Sequence, residues 1–294
     1  MENKPLVSVD MITYKHEAFI KQAIEGVLMQ ETNFEYDLII ADDCSPDDTE
    51  QIVNEIIANH PKGNIIKYYR HEKNIGMQPN GIFAAKKCTG KYIAVCEGDD
   101  YWTDPSKLQK QVDFLEANEE YGMCGHRVRN LNDDIESNEP DINIEISTEA
   151  ILEKGPLMAT CSMLMRNNFT KEEYSFLYKS SLGDWAIVLI HAQKSKIKKL
   201  NDIMAVYRIH DGGIYSKNDI KDKIQKNIQF QLIIIEHFPQ YKKIVEQFID
   251  NKKKFYNLYD YSFISFLKGK TSFFVFLYGL RVKLNLRKRL LNLN

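Results

Sequence analysis

Tyr92-Ile93-Ala94-Val95-Cys96-Glu97-Gly98-Asp99-Asp100 is the stretch on which the fold turns. A short apolar run, of strand length, ends abruptly on three carboxylates in four positions. Carboxylates packed this closely repel one another. A divalent cation that takes hard oxygen ligands, and that also holds substrate phosphates, offsets the repulsion. Taken alone, the same turn reads more readily as a solvated acidic turn or helix cap, and it is the strand-end position and the Asp42-Asp43 pair that turn the balance.

Upstream, Leu6-Val7-Ser8-Val9-Asp10-Met11-Ile12 is a buried strand rich in β-branched residues. Phe19, Ile20, Ala23, Ile24, Val27 and Leu28 then fall on one helical face. Residues 36–41 form a second strand, stopping at Asp42-Asp43-Cys44-Ser45-Pro46-Asp47-Asp48-Thr49, and a helix with Ile52, Val53, Ile56 and Ile57 follows. Residues 65–69 are a third strand, and a short helix near residues 81–87 leads into the acidic stretch. Beyond it, Asp104-Pro105 predicts a helix start, as N-cap and first-turn proline, with Leu108, Val112 and Leu115 as the apolar stripe. Strands alternating with helices at this spacing mean βαβ units: an α/β fold with a mainly parallel central sheet flanked by helices. Ligands of such sheets lie beyond the carboxyl ends of the strands, where Thr13-Tyr14, Asp42-Asp43 and Glu97-Gly98-Asp99-Asp100 all fall.

Downstream, residues 129–147 are polar and acidic and read as a mobile loop. Patterning returns at residues 157–165, at a helix around residues 184–193 and at a strand over residues 203–209. Residues 217–294 read as largely helical and carry 16 Lys/Arg against 6 Asp/Glu, while residues 1–216 carry 23 against 35. The formal net charge of −2 conceals this split, which predicts a basic region facing something anionic. From position 261 onward seven basic residues and no acidic one accompany the run Phe273-Phe274-Val275-Phe276-Leu277-Tyr278. That combination predicts contact with an anionic membrane surface, or a packing helix with a solvated basic face. The five cysteines are odd in number and form no CxxC pair, which argues against a disulfide framework and a zinc site. No cationic apolar leader opens the sequence and no long uncharged apolar run follows, so a cytoplasmic location is expected.

Taken in order, these motifs resemble glycosyltransferase family 2, the inverting enzymes with the GT-A (Rossmann-like) fold. The resemblance runs from Val7-Ser8-Val9 and Thr13-Tyr14 through Asp42-Asp43-Cys44-Ser45, where Cys44 replaces the usual glycine, to Glu97-Gly98-Asp99-Asp100. Gly183-Asp184-Trp185 and Tyr207-Arg208-Ile209-His210 match later elements of the family. The resemblance implies a catalytic domain over residues 1–216 and a helical, basic C-terminal extension over residues 217–294. It implies that Thr13 and Tyr14 line the nucleotide, with Tyr14 stacking on the base and Asp42 or Asp43 accepting the base N–H. Asp99 and Asp100 would hold Mg²⁺ or Mn²⁺ against the diphosphate and contact the ribose, which of the two is the main ligand being left open, and His210 would add a third metal contact. Asp184 would be the general base. The arginine that often follows the family's third strand has no counterpart in Asn74-Ile75-Gly76-Met77-Gln78-Pro79-Asn80, where Asn80 is the candidate replacement.

The implied partners are a nucleotide-sugar donor, a UDP-sugar first, and a glycan or lipid-linked acceptor of surface polysaccharide or glycolipid synthesis. Nucleic acid is not among them. Two rivals stand beside this reading. A nucleotidyltransferase would carry a glycine-rich, basic loop after the first strand, and Thr13-Tyr14-Lys15-His16-Glu17 has no glycine. A non-catalytic binding module would not need an acidic turn together with Asp184. A nicotinamide-binding fold is excluded, since no GxGxxG follows the first strand.

Overall fold

The computed structural model describes residues 4–130, 144–210, 213 and 220–267. Four strands alternate with three helices: β1 (Val7–Thr13), α1 (Ile20–Leu28), β2 (Tyr36–Asp42), α2 (Thr49–Asn59), β3 (Ile66–Arg70), α3 (Met77–Lys87) and β4 (Tyr92–Val95). The chain continues through β5 (Tyr101–Trp102), α4 (Lys107–Ala117), β6 (Tyr121–Asn130), β7 (Ile144–Glu145), α5 (Thr148–Lys154) and β8 (Leu164–Arg166). It ends in α6 (Lys171–Lys179), α7 (Gly183–Ala192), β9 (Lys196–Tyr207), α8 (Ile220–His237) and α9 (Lys242–Leu267).

The strands join one sheet in the order β3-β2-β1-β4-β8-β6-β9-β5, with β7 paired to β9. The expected parallel arrangement holds across β3, β2, β1 and β4. Past β4 the sheet is mixed: β8 runs antiparallel to both β4 and β6, β9 parallel to β6, and β5 and β7 antiparallel to β9. Strand order reverses between β1 and β4, because β2 and β3 were added on one side of β1 and β4 on the other. The crevice beyond the carboxyl ends of β1 and β4 is therefore the switch point at which an open α/β sheet binds its ligand.

Two-residue periodicity divides the core. Val7, Val9 and Met11 of β1, Leu38 and Ile40 of β2, and Tyr92 and Ala94 of β4 face α1, α2 and α4. Ile39, Ile93 and Val95 face the other way, into a second cluster with α5, α6 and α7. Phe230 and Ile234 of α8 and Val245 and Ile249 of α9 are buried in that same cluster. Through residue 254, then, the basic helices pack on the core that carries α7.

Several boundaries differ from the sequence reading. The helix expected at Asp104 begins at Lys107, because the Asp104 carboxylate accepts the Ser106 N–H and hydroxyl and forms a tight turn ahead of the helix. Residues 129–130, read as loop, end β6, residues 144–145 form the two-residue β7, and residues 131–143 lie outside the described part. The aromatic run and most of the basic tail, residues 268–294, lie outside it as well. Among the described residues no helix is long and apolar enough to cross a membrane.

Candidate active site

The turn after β1 forms one wall of the crevice. Lys15 is held at φ 61°, in the left-handed region that costs a side-chain-bearing residue about 1–2 kcal/mol. Cys44, in the neighbouring turn, sits at φ 60°, which explains why a glycine would be at home there. The two turns are laced together: the Lys15 N–H donates to Ser45 Oγ (3.0 Å), the His16 N–H to Thr49 Oγ1 (3.1 Å) and the Glu17 N–H to Asp47 Oδ2 (3.1 Å). Tyr14 stands at the rim, 38% exposed, with the Lys15 ammonium 5.2 Å from its ring centre. Thr13 is buried beneath it, and its hydroxyl has no hydrogen-bond partner among the described residues.

Asp42 and Asp43 are already engaged. Asp42, fully buried, accepts from the Ser45 N–H (2.8 Å) and the Tyr68 hydroxyl (2.7 Å). Asp43 accepts from the Ile75 N–H (2.7 Å) and the Gly76 N–H (2.9 Å), fastening the loop that starts α3. Asn80 is buried; its amide donates to the Ala41 carbonyl (2.9 Å), and its oxygen lies 3.0 Å from His71 Nε2. These three candidates hold the crevice floor together, and the Asn80 amide is turned to the protein's own groups.

The acidic turn separates its two aspartates. Asp99 is 23% exposed, with Oδ2 3.2 Å from His210 Nε2 and 3.7 Å from His16 Nε2. Asp100 is 2% exposed and faces inward, one oxygen accepting the Arg208 N–H (2.8 Å) and the other, buried near the Cys161 thiol, having no nitrogen or oxygen partner among the described residues. Burial, reinforced by the charge of Asp99, pushes the Asp100 carboxyl up to about 7. Asp99 and His210 are thus brought together, and Asp100 is turned away from them. Arg208 makes the junction: its guanidinium donates to the Asp99 carbonyl (2.6 Å) and to Gln22, and lies 4.3 Å from the Tyr101 ring centre.

Asp184 lies in the first turn of α7, one residue inside the helix start, where the helix dipole favours an anion. One carboxylate oxygen accepts the Trp185 N–H (2.8 Å). Burial raises its pKa above the usual carboxylate value. Its charge reaches Glu97, whose own pKa is raised by burial first and then by Asp99, Asp100 and Asp184. The carboxylates of α7 and of the acidic turn therefore share one electrostatic environment.

Among the described residues no three His, Cys, Asp or Glu side chains form a preformed metal cage. The pair Asp99 and His210 nevertheless fits a divalent ion that keeps open positions for phosphate oxygens and water. Their 3.2 Å separation matches neighbouring ligands of one ion with bonds of about 2.1 Å. His16 and the anchoring part of Arg208 escaped the sequence reading. Arg208 lay inside a recognised motif, but its bonds to Asp99 and Gln22 exist only once β9 is in place.

The sequence profile described as glycosyl transferase family 2 matches residues 8–172, which span β1 to the start of α6. The chain belongs to glycosyl transferase family 2. Among family relatives, it is 35% identical over 214 residues to a protein of Mycobacterium tuberculosis, covering 71% of this chain and 60% of that one. The chain thus spans about 60% of the length of the mycobacterial relatives it matches. It is 26% identical over 225 residues to WfaP of Escherichia coli, covering 76% of this chain and 84% of WfaP. That protein is a UDP-Glc:α-D-GlcNAc-diphosphoundecaprenol β-1,3-glucosyltransferase. The fold is that of the mannosyltransferase PcManGT from Pyrobaculum calidifontis, solved with GDP-Man and Mn²⁺: TM-score 0.64, 14% identity, 99% of this chain and 83% of that one. The architecture is GT-A.

Proposed function

We propose that this chain transfers a sugar from a nucleoside diphosphate donor to a hydroxyl of a glycan or lipid-linked acceptor, with inversion at the anomeric carbon. The observation that carries the reading is the meeting of Asp99 and His210, 3.2 Å apart, at the strand-order switch point that also collects Tyr14 and Asp184. Tyr14 offers an exposed ring for the base to stack on, and the buried Thr13 hydroxyl an unused polar group beneath it. Asp99 and His210 would hold Mg²⁺ or Mn²⁺. When bound, the ion offsets the charge that grows on the departing nucleoside diphosphate. Arg208 fixes the backbone of Asp99 so that its carboxylate faces the crevice.

Asp184 removes the proton from the attacking hydroxyl. Its raised pKa makes it a stronger base near neutral pH than an exposed aspartate. Its Oδ1 accepts the Trp185 N–H, which orients the carboxylate at the helix start, and Oδ2 would take the incoming proton. Direct attack by the deprotonated hydroxyl on the face opposite the leaving diphosphate gives inversion.

A UDP-sugar is the donor we place first, with support from WfaP, which uses UDP-Glc and a diphosphoundecaprenol acceptor. A lipid-linked acceptor accords with the seven positive charges after position 261, which we place against the anionic inner face of a membrane. The test is a hydrolysis screen of the purified chain against UDP-, GDP- and dTDP-sugars with Mn²⁺. Release of one nucleotide well above background, abolished by chelator, is expected. No release from any donor and no binding of any nucleotide would overturn the reading.

A further inference from the structure

His16 stands beside the Asp99–His210 pair with no role assigned to it. Its Nε2 lies 3.7 Å from Asp99 Oδ2, beyond good hydrogen-bond distance, and its Nδ1 is buried with no partner among the described residues. Among the described residues, neither ring nitrogen therefore has a hydrogen bond that would explain why a histidine is held there.

The ring is held in place nonetheless. The His16 N–H donates to Thr49 Oγ1, and its carbonyl accepts the N–H groups of Phe19 and Ile20 (2.9 and 2.8 Å), which starts α1. Lys15, in its left-handed conformation, turns the chain back just before it. Room for the ring comes from Gly98: a Cβ there would lie 2.9 Å from His16 Nδ1 and 2.9 Å from Thr13 Oγ1. The glycine inside the acidic turn is thus what admits an imidazole beside Asp99. Phe19 backs both imidazoles, its ring centre 4.7 Å from that of His210 and 6.4 Å from that of His16.

We propose that His16 is a third protein ligand of the divalent ion, so that one carboxylate and two imidazoles hold the donor diphosphate. The inference rests on the donor-and-ion reading above. Two separate segments, the turn after β1 and the chain after β9, bring His16 Nε2 and His210 Nε2 to 3.7 and 3.2 Å from the same oxygen, Asp99 Oδ2, in the turn after β4. Adjacent ligands of an octahedral ion lie about 3 Å apart, so His210 already stands at that spacing from Asp99 Oδ2, and His16 Nε2 needs to close on the same oxygen by less than about 1 Å. The remaining positions stay open for diphosphate oxygens and water. Two nitrogen ligands also disfavour Mg²⁺, a hard ion that keeps oxygen ligands and water, relative to Mn²⁺.

The experiment is Mn²⁺ binding to the full chain with UDP or GDP present, followed by electron paramagnetic resonance. Pulsed measurements then count the imidazole nitrogens on the ion. Two are expected in the parent chain and one in both His16→Ala and His16→Gln, with Mn²⁺ affinity at least about tenfold lower and a narrower Mn²⁺-over-Mg²⁺ preference. Unchanged thermal melting of His16→Gln checks that the fold is kept. If Asp99→Asn and His210→Ala weaken Mn²⁺ binding but both His16 variants keep two nitrogens and parental affinity, the His16 assignment is wrong and the donor site stands. If the parent chain binds Mn²⁺ no better with nucleotide than without, the ion reading itself falls, and this inference with it.

Discussion

β1 to β4 stack side by side in parallel, with α1, α2 and α3 following β1, β2 and β3 in turn, whereas β8, β6 and β9 join the sheet out of chain order and in mixed directions. The carboxylates differ in the same way. Asp42 and Asp43, at the end of β2, each accept two hydrogen bonds from the protein itself. Asp184, which comes from the mixed half, is bonded by N–H groups of its own helix start, that of Trp185 among them, and burial still raises its pKa, as it does that of Glu97 on the seam. A satisfied carboxylate builds a wall, while one whose pKa burial raises is available for chemistry. On the proposed function, the parallel half would supply the nucleotide cradle and the mixed half would bring the proposed base, Asp184, to it.

Substitutions on the two sides should separate these roles. Asp184→Asn is expected to lower kcat by about 10²–10⁴-fold with donor affinity within about twofold of the parent. Turnover and calorimetric titration of the donor read the two effects separately. Loss of affinity with kcat preserved would place Asp184 with the cradle instead.

Asp10 is the exception within the parallel half, a carboxyl that burial pushes up to about 7. In the folded state it binds a proton that the unfolded chain releases near pH 4, so its contribution to stability is full below about pH 4 and lost as pH rises through 7. Asp10→Asn removes that loss. The variant should gain up to about 4 kcal/mol over the parent at pH 8 and little at pH 4, measured by urea unfolding. Equal stability differences at both pH values would show that Asp10 is not held protonated.

Asp43→Ala tests the wall. Losing two charge-assisted bonds to the Ile75 and Gly76 N–H groups should cost about 3 kcal/mol of stability. A variant as stable as the parent that no longer binds nucleotide would make Asp43 a base-reading residue. The smallest effect belongs to Tyr14→Ala, where loss of one stacking surface should weaken nucleotide binding by about 1–2 kcal/mol without changing the melting temperature.

The same division decides what could be read from the sequence. The first four strands and their helices follow from local apolar runs, so β1, β2, β3 and β4 lie within a residue or two of their expected bounds. Thr13, Tyr14, Asp99 and Asp184 fall at strand or helix ends, which fixes their place in the crevice. β6 gives no comparable signal, and β9 begins at Lys196, seven residues ahead of the expected strand at 203, along a Lys/Asn-rich segment. Its pairing to β6 with register shifts is a tertiary matter that periodicity cannot carry. Which of Asp99 and Asp100 faces the crevice is likewise decided by Arg208, more than a hundred residues away, whose N–H takes Asp100 inward. The place of His16 depends on Gly98, which leaves room for the ring, a contact that exists only between folded segments.

The most direct test of an inverting transfer at this seam is the anomeric configuration of the sugar first released from the donor. Proton nuclear magnetic resonance can follow the anomeric signal of the purified chain's product before mutarotation equalises the two forms. An α-linked nucleotide sugar, turned over with Mn²⁺, is expected to give the β-anomer first, at a rate that Asp184→Asn reduces by at least about 10²-fold. First appearance of the α-anomer, or the same rate with Asn at position 184, would contradict direct attack assisted by Asp184.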